Sequence, residues 1–131
     1  MSSTTPKAID DVITEARATI NDSVVPFRFT NALMVSYLNT ALREVYRYRP
    51  DAFIGNFQSG LLSQIVLPTY SEADLGLNPA TQFPIDDRLF FNAVVFFVTG
   101  RTELADDEFT DEGRAMTLLQ AFRGMLISPG G

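Results

Sequence analysis

The sequence predicts a mainly α-helical protein: a four-helix, bundle-like domain with an irregular insertion, with room for a short β element, between helices two and three. Three observations carry this. Apolar residues recur at helical spacing in four separate segments. Helix-start signals, a capping Thr or an acidic first turn, stand at the head of each. The helix-breaking residues gather in one stretch, 51–84, which holds Gly55, Gly60, Gly76, Pro68, Pro79 and Pro84.

The first helix is expected over residues 6–21. Thr5 caps it and Pro6 takes the first helical position, where a missing N–H costs nothing. Asp10 and Asp11 lie in the first turn. Ile9, Val12, Ile13, Ala16 and Ile20 form the buried stripe, with Glu15 and Arg17 on the opposite face. "VVPFRF" follows as an extended connector. The second helix is expected over 31–48, roughly 27 Å long at about 1.5 Å per residue. Thr30 caps it, and Met34, Leu38, Ala41, Leu42 and Val45 are its stripe. Ser36, Asn39, Thr40, Arg43 and Arg47 face elsewhere. Pro50 forces Arg49 out of helical geometry and ends the helix.

In the insertion, "LLSQIVLP" (61–68) is the strand candidate and "TYSEADLGLNPATQFP" reads as an ordered surface loop. A loop this long in a small domain is functional or held by a partner. The third helix is expected over 86–106. Its "VVFF" favours β structure by propensity, but the acidic start and the continuation through "TGRTELADD" favour a helix. It is apolar nearly all round from Leu89 to Val98, which implies deep burial or a subunit interface. Gly100 weakens it by about 1 kcal/mol. The fourth helix is expected over 111–127, capped by Thr110, with Ala115, Leu118, Leu119, Phe122, Met125 and Leu126 as its stripe. Residues 128–131 are a flexible tail.

The chain has 131 residues, 46% of them hydrophobic, which suits one domain burying roughly two-thirds of its unfolded surface. It contains no cysteine and no histidine. That excludes disulfides, thiolate metal sites, Ser-His-Asp and Cys-His catalysis. The net charge is −6, so nucleic-acid phosphates are repelled over most of the surface. "MSSTTPKAIDD" lacks the apolar region of a signal peptide, and "LFFNAVVFFV" is too short to span a membrane. A soluble protein made in the cytoplasm is expected.

The paired acids Asp10-Asp11, Asp86-Asp87, Asp106-Asp107-Glu108 and Asp111-Glu112 have the chemistry to bind Mg²⁺ or to act as acid and base. All stand at helix ends or turns, where dipole complementarity explains them better. Arg43 and Arg47 are four apart on one helix face, with Arg49 beyond them and Tyr46 and Tyr48 nearby. A nucleic-acid patch is opposed by the net charge; a solvated or inter-subunit salt-bridged face is the alternative. Neither a phosphate-binding loop nor a nucleophile elbow is present. Asn92, alone on an apolar helix, reads as a hydrogen-bonded core amide. Eleven phenylalanines in this chain are many. Phe53, Phe57, Phe83, Phe90, Phe91, Phe96, Phe97 and Phe109 imply either an aromatic-rich core or a partner surface.

Two stretches carry a family pattern. "ARATINDSVVPFRFTNALMVSYLNTALREVYRYRPDA" (16–52) has a helix with Ala16-Arg17 and a following Asp22. Its next helix reads Tyr-Leu-Asn-x-Ala-x-Arg-Glu-Val and ends in Arg49-Pro50-Asp51-Ala52. "PIDDRLFFNAVVFFVTGRTELADDEFTDEGRAMTLLQAFRGML" (84–126) has a proline, an apolar helix with Gly-Arg and Ala-Asp-Asp, and a closing helix ending Phe-x-x-x-Leu. Together they resemble the small helical head-to-tail adaptor (connector) proteins of bacteriophages. The short, proline-rich middle departs from that family's longer β-containing insertion.

The resemblance implies a non-enzymatic virion protein of the neck, at the head–tail interface. Such proteins form a homo-oligomeric ring, usually of twelve copies, beneath the portal protein. The ring extends the DNA channel and docks the tail tube or nozzle protein. The genome passes without sequence-specific binding, and neither cofactor, metal, membrane nor catalytic residue is implied. The C-terminal segment, here Ile127 to Gly131, would reach towards the portal. The interface residues expected are Arg43, Arg47, Arg49, Phe53, Phe57, Phe109, Ile127 and Pro129. A ring needs two different patches per subunit, and an acidic channel lining would let DNA slide. The competing readings are a tail completion protein of the same neck, an acidic phage-encoded inhibitor that mimics DNA, and, least favoured, a carboxylate-dependent metalloenzyme.

Overall fold

A computed structural model describes residues 7–20, 22, 28–53, 58–59, 64–65, 67–105 and 112–127. Within them four α-helices, α1 (Ile9–Thr19), α2 (Asn31–Tyr48), α3 (Asp87–Leu104) and α4 (Glu112–Ile127), pack around a shared core. The protein is therefore mainly α with a bundle-like arrangement. α3 is central: α1, α2 and α4 all pack against it, α4 most extensively. A 3-10 turn, Pro50–Phe53, follows α2. The insertion holds two two-residue strands, β1 (Gln58–Ser59) and β2 (Gln64–Ile65), paired antiparallel with Gln58 opposite Ile65.

α2 runs over the expected residues, and its Thr30 side chain accepts the Leu33 N–H at 3.1 Å. Its buried stripe is the expected one with Val35 added. α3 starts behind Asp86, whose carboxylate accepts the Arg88 N–H at 3.0 Å. α1 starts at Ile9 instead of residue 6. Lys7 and Ala8 are extended because they pair with the segment before α3. The Phe83 N–H donates to the Lys7 carbonyl at 2.8 Å, and the Ile9 N–H donates to the Thr81 carbonyl at 2.9 Å. Ala8 becomes the cap position, and its N–H donates to the Asp11 carboxylate at 2.8 Å. The expected caps Thr5 and Thr110, with Pro6, lie outside the described residues.

The acid pairs that are described act as local fasteners. Asp87 accepts the Lys7 N–H at 2.9 Å and Asp10 accepts the Gly76 N–H at 2.9 Å. Asn39, expected to face away from the core, clamps the insertion. Its amide donates to the Tyr70 carbonyl at 2.8 Å and accepts the Tyr70 N–H at 2.9 Å. This two-way bond reproduces a strand-like pairing with one side chain, and it holds the 67–85 stretch against α2. Burial, and then the nearby charge of Asp74, push the Tyr70 hydroxyl above its ordinary pKa.

Arg17 overturns the expected polar face of α1: it is 4% exposed. It follows Ile13 by four residues, about 40° round the helix, so it borders the apolar stripe instead of opposing it. Its guanidinium donates to Asp22 Oδ2 at 2.8 Å and to Asn31 Oδ1 at 2.7 Å. Asp22, also 4% exposed, accepts the backbone N–H of Arg28 at 2.7 Å and of Phe29 at 3.2 Å.

α3 is apolar all round because the molecule covers it on nearly every side. Phe90, Phe91, Ala93, Val94, Val95, Phe97 and Val98 are buried. Asn92, expected in the core, is exposed, as Leu89 is, on an open strip of the helix. No described phenylalanine is exposed: Phe53, Phe83, Phe90, Phe91, Phe97 and Phe122 are buried, and Phe29 and Phe96 half-buried. The phenylalanine surplus is thus core wherever it is described; Phe27, Phe57 and Phe109 lie outside. α4 buries Ala115, Phe122 and Leu126 but leaves Leu118, Leu119 and Met125 half-buried, since it packs chiefly against one neighbour.

At Gly100 α3 and α4 approach closely. A Cβ there would lie 3.0 Å from Leu119 Cγ and 3.2 Å from the Ala115 carbonyl oxygen. At Gly124 on α4 a Cβ meets nothing within 4 Å. Gly124→Ala should stabilise the protein by about 0.5–1 kcal/mol through helix propensity. Gly100→Ala should destabilise it by about 1 kcal/mol, because overpacking against backbone outweighs the same propensity gain. Chemical denaturation of the pair checks this, and two changes of the same sign would refute the close approach. Asp22→Ala should cost about 3–5 kcal/mol, the penalty for stranding a buried guanidinium. A loss below about 1 kcal/mol in the same assay would show that solvent reaches the pair.

Candidate functional site

A groove of about 280 Å³ opens between α2, α3 and α4. Its lining follows from helical spacing. α2 presents Thr40, Glu44 and Tyr48 at successive i, i+4 positions, α3 presents Phe97 and Arg101, and α4 presents Leu119, Phe122 and Arg123. The floor is apolar: Phe97 and Phe122 stack at a tilt with ring centroids 4.9 Å apart, beside Leu119. The rim is polar. Arg101 lies 5.8 Å over the Tyr37 ring and 5.9 Å over the Phe97 ring, which aligns its guanidinium with the groove. Arg43, on α2 outside the lining, donates to Thr40 Oγ1 at 3.4 Å.

The charges are unevenly matched. Lys7, Arg17, Arg47, Arg49, Arg88 and Arg114 each have a carboxylate within 4.0 Å. Arg28 donates to the Ile20 carbonyl and stacks on Phe29. Arg43, Arg101 and Arg123 have no acidic partner among the described residues, and Arg101 and Arg123 line this groove. Glu44, the acid among its lining residues, lies 3.9 Å from Arg47. The arrangement suits an anionic partner that also carries an apolar group. A second depression, about 360 Å³, is lined by Asp10, Thr14, Arg17, Asn31 and Glu72 among others. Arg17, Asn31 and one oxygen of Asp10 are engaged there in holding the fold, and Asp10 Oδ1 is buried without a partner. Among the described residues no three His, Cys, Asp or Glu side chains converge as a metal site would need, and no helix is long and apolar enough to cross a membrane.

The residues expected at interfaces separate. Arg43 and Arg47 are exposed on α2, and the Arg47–Glu44 pair, with Arg47 72% exposed, contributes little. Ile127, 63% exposed, ends α4. Arg49 is instead an internal fastener. It grips Asp51 with two bonds of 3.0 and 2.9 Å, donates to the Leu126 carbonyl at 3.3 Å and lies 5.7 Å over Phe90. Phe53 is fully buried, edge-on to Tyr46 at 6.0 Å, because the Pro50–Phe53 turn folds it back under α2; it has no surface to offer. Phe57, Phe109 and Pro129 lie outside the described residues. Arg101 and Arg123 were not singled out from the sequence. Their signal was the cation four residues after Phe97 and the cation directly after Phe122, each beside an aromatic of the stripe.

Comparisons of the chain with protein families, with curated proteins and with solved structures find no match.

The bidentate hydrogen bonds from Arg49 hold the Asp51 carboxyl below its ordinary value of 3.8, and Asp51 in turn holds Arg49 above its own. A carboxylate whose folded pKa is depressed stabilises the fold above its unfolded pKa and loses that contribution as pH falls through the folded one. Asp51 is 58% exposed, so the whole effect is at most about 1 kcal/mol. The stability difference between wild type and Asp51→Asn should be constant above pH 3.8 and close as the pH drops below it. Urea denaturation across that range measures it. A difference that persists in strong acid would mean that the carboxylate charge is not its source.

Proposed function

We propose that this protein is the subunit of a head-to-tail adaptor ring in a bacteriophage neck: a structural, non-catalytic part that continues the DNA channel beneath the portal and gives the tail its docking platform. One observation carries the reading. The residues that bear the resemblance are the ones that hold the fold. Arg17 and Asp22 form a buried pair, and the same guanidinium joins α1 to α2 through Asn31. Arg49 and Asp51 form the bidentate pair that ends α2 and reaches α4. A shared pattern of this kind marks a shared framework more than a surface coincidence.

The division of α2 supports a role in assembly. One face is locked in the core, while Arg43 and Arg47 stand exposed on a chain of net charge −6. In a ring, carboxylates of the next subunit or of the portal would meet them. The remaining acidic surface would line the channel and keep DNA from adhering.

Quantitative mass spectrometry of purified, DNA-filled particles tests the reading. A copy number matching the portal protein is expected; absence from particles with abundance in the lysate would overturn it. The double reversal Arg43→Glu, Arg47→Glu should leave the fold intact, both residues being exposed, and should block incorporation into particles. Normal incorporation would count against the arginine face as the contact.

A further inference from the structure

We infer that the groove between α2, α3 and α4 receives an acidic, aromatic-bearing segment of a second copy of this chain, and that residues 106–112 are that segment. This deepens the ring reading and rests on it. The groove combines an apolar floor, Phe97, Phe122 and Leu119, with two arginines, Arg101 and Arg123, that lack acidic partners among the described residues. A free anion would leave the floor unused, and an apolar ligand would leave the arginines unused. An occupant that satisfies both places one aromatic ring between several carboxylates. The chain contains such a run, Asp106-Asp107-Glu108-Phe109-Thr110-Asp111-Glu112: five acids around one phenylalanine. The acid pairs at Asp10-Asp11 and Asp86-Asp87 are engaged on backbone N–H groups and have no such neighbour.

Within one copy this run is tethered at both ends. It joins α3 to α4, so both of its ends are tied to Leu104 and Glu112. Arg123 lies eleven residues further along α4, about 16 Å at the helical rise. A neighbouring copy has no such tether. Groove and segment are different surfaces, so the contact is head-to-tail, which gives a ring when its rotation closes and a filament when it does not. Charge attraction speeds the encounter, and the ring seated on Phe97 and Phe122 fixes the register.

The test uses the full chain and a fluorescent synthetic peptide of residues 105–113. Saturable binding is expected, weakened about tenfold or more by Arg101→Glu with Arg123→Glu in the protein, and likewise by Phe109→Ala in the peptide. Both arginines are exposed, and the unchanged melting temperature of the variant confirms that it is folded. Binding that ignores the arginine reversals places the contact elsewhere and overturns the inference. Binding that survives loss of the phenylalanine reduces it to general charge attraction and also overturns it. The ring reading is judged separately, by copy number of the wild-type chain in particles. If that number matches the portal while the peptide fails to bind, the ring stands and this groove is not its joint.

Discussion

The structure depends first on one buried charge. Arg17 sits at the edge of the α1 stripe, where the next turn of chain must cover it, and a guanidinium out of water needs its donors matched. Asp22 supplies the counter-charge, Asn31 a second acceptor, and the N–H groups of Arg28 and Phe29 occupy what Arg17 leaves free on Asp22. Burial pushes Arg17 below its ordinary pKa while Asp22 pulls it back. The pair therefore stabilises little by itself. Its effect is specificity: with one side of the network on α1 and the other on the first residue of α2, the two helices can meet in one arrangement only. Arg49 repeats the device at the far end of α2, where its contact with the Leu126 carbonyl brings in α4.

Between these two anchors α3 is sealed. A helix that is apolar all round has no preferred face, so its orientation is set by its neighbours' shapes. Gly100 gives α4 its close seat, and the phenylalanine edges Phe83–Phe91 and Phe97–Phe122 set the angle on two sides. The groove is the remainder of this packing. α4 is pinned to α3 at Gly100 and to Arg49 at its end, so the side that carries half-buried Leu119 and buried Phe122 stands away from α2 and leaves a trough.

What the sequence discloses follows how local the cause is. α2 is legible from Thr30 to Pro50 because cap, stripe and stop all lie within it. The start of α1 is not, because the pairing of Lys7 and Ala8 with residues 81–83 and with Asp87, 80 residues along the chain, overrides the local signal at Thr5-Pro6. Phe53 is misread as surface for the same reason: a 3-10 turn after Pro50, invisible as periodicity, folds it inward. Arg43 is legible as exposed from its position opposite the stripe. The convergence of Arg101 and Arg123 on one groove is not, since it requires α3 and α4 to be placed before their charges can be compared.

That convergence constrains how the chain can associate. Copies with a net charge of −6 repel one another at long range, so any contact must begin where the local field reverses sign. Arg101 and Arg123, which line one groove, make such a place. A two-fold contact centred on it would set each arginine against its own copy, and it would fail for the same reason that the acidic remainder fails. A head-to-tail contact sets it against the acidic remainder of the next copy and repeats without penalty at each step. On the proposed reading, the cations without acidic partners among the described residues would meet the acidic surface of the next copy in a head-to-tail contact.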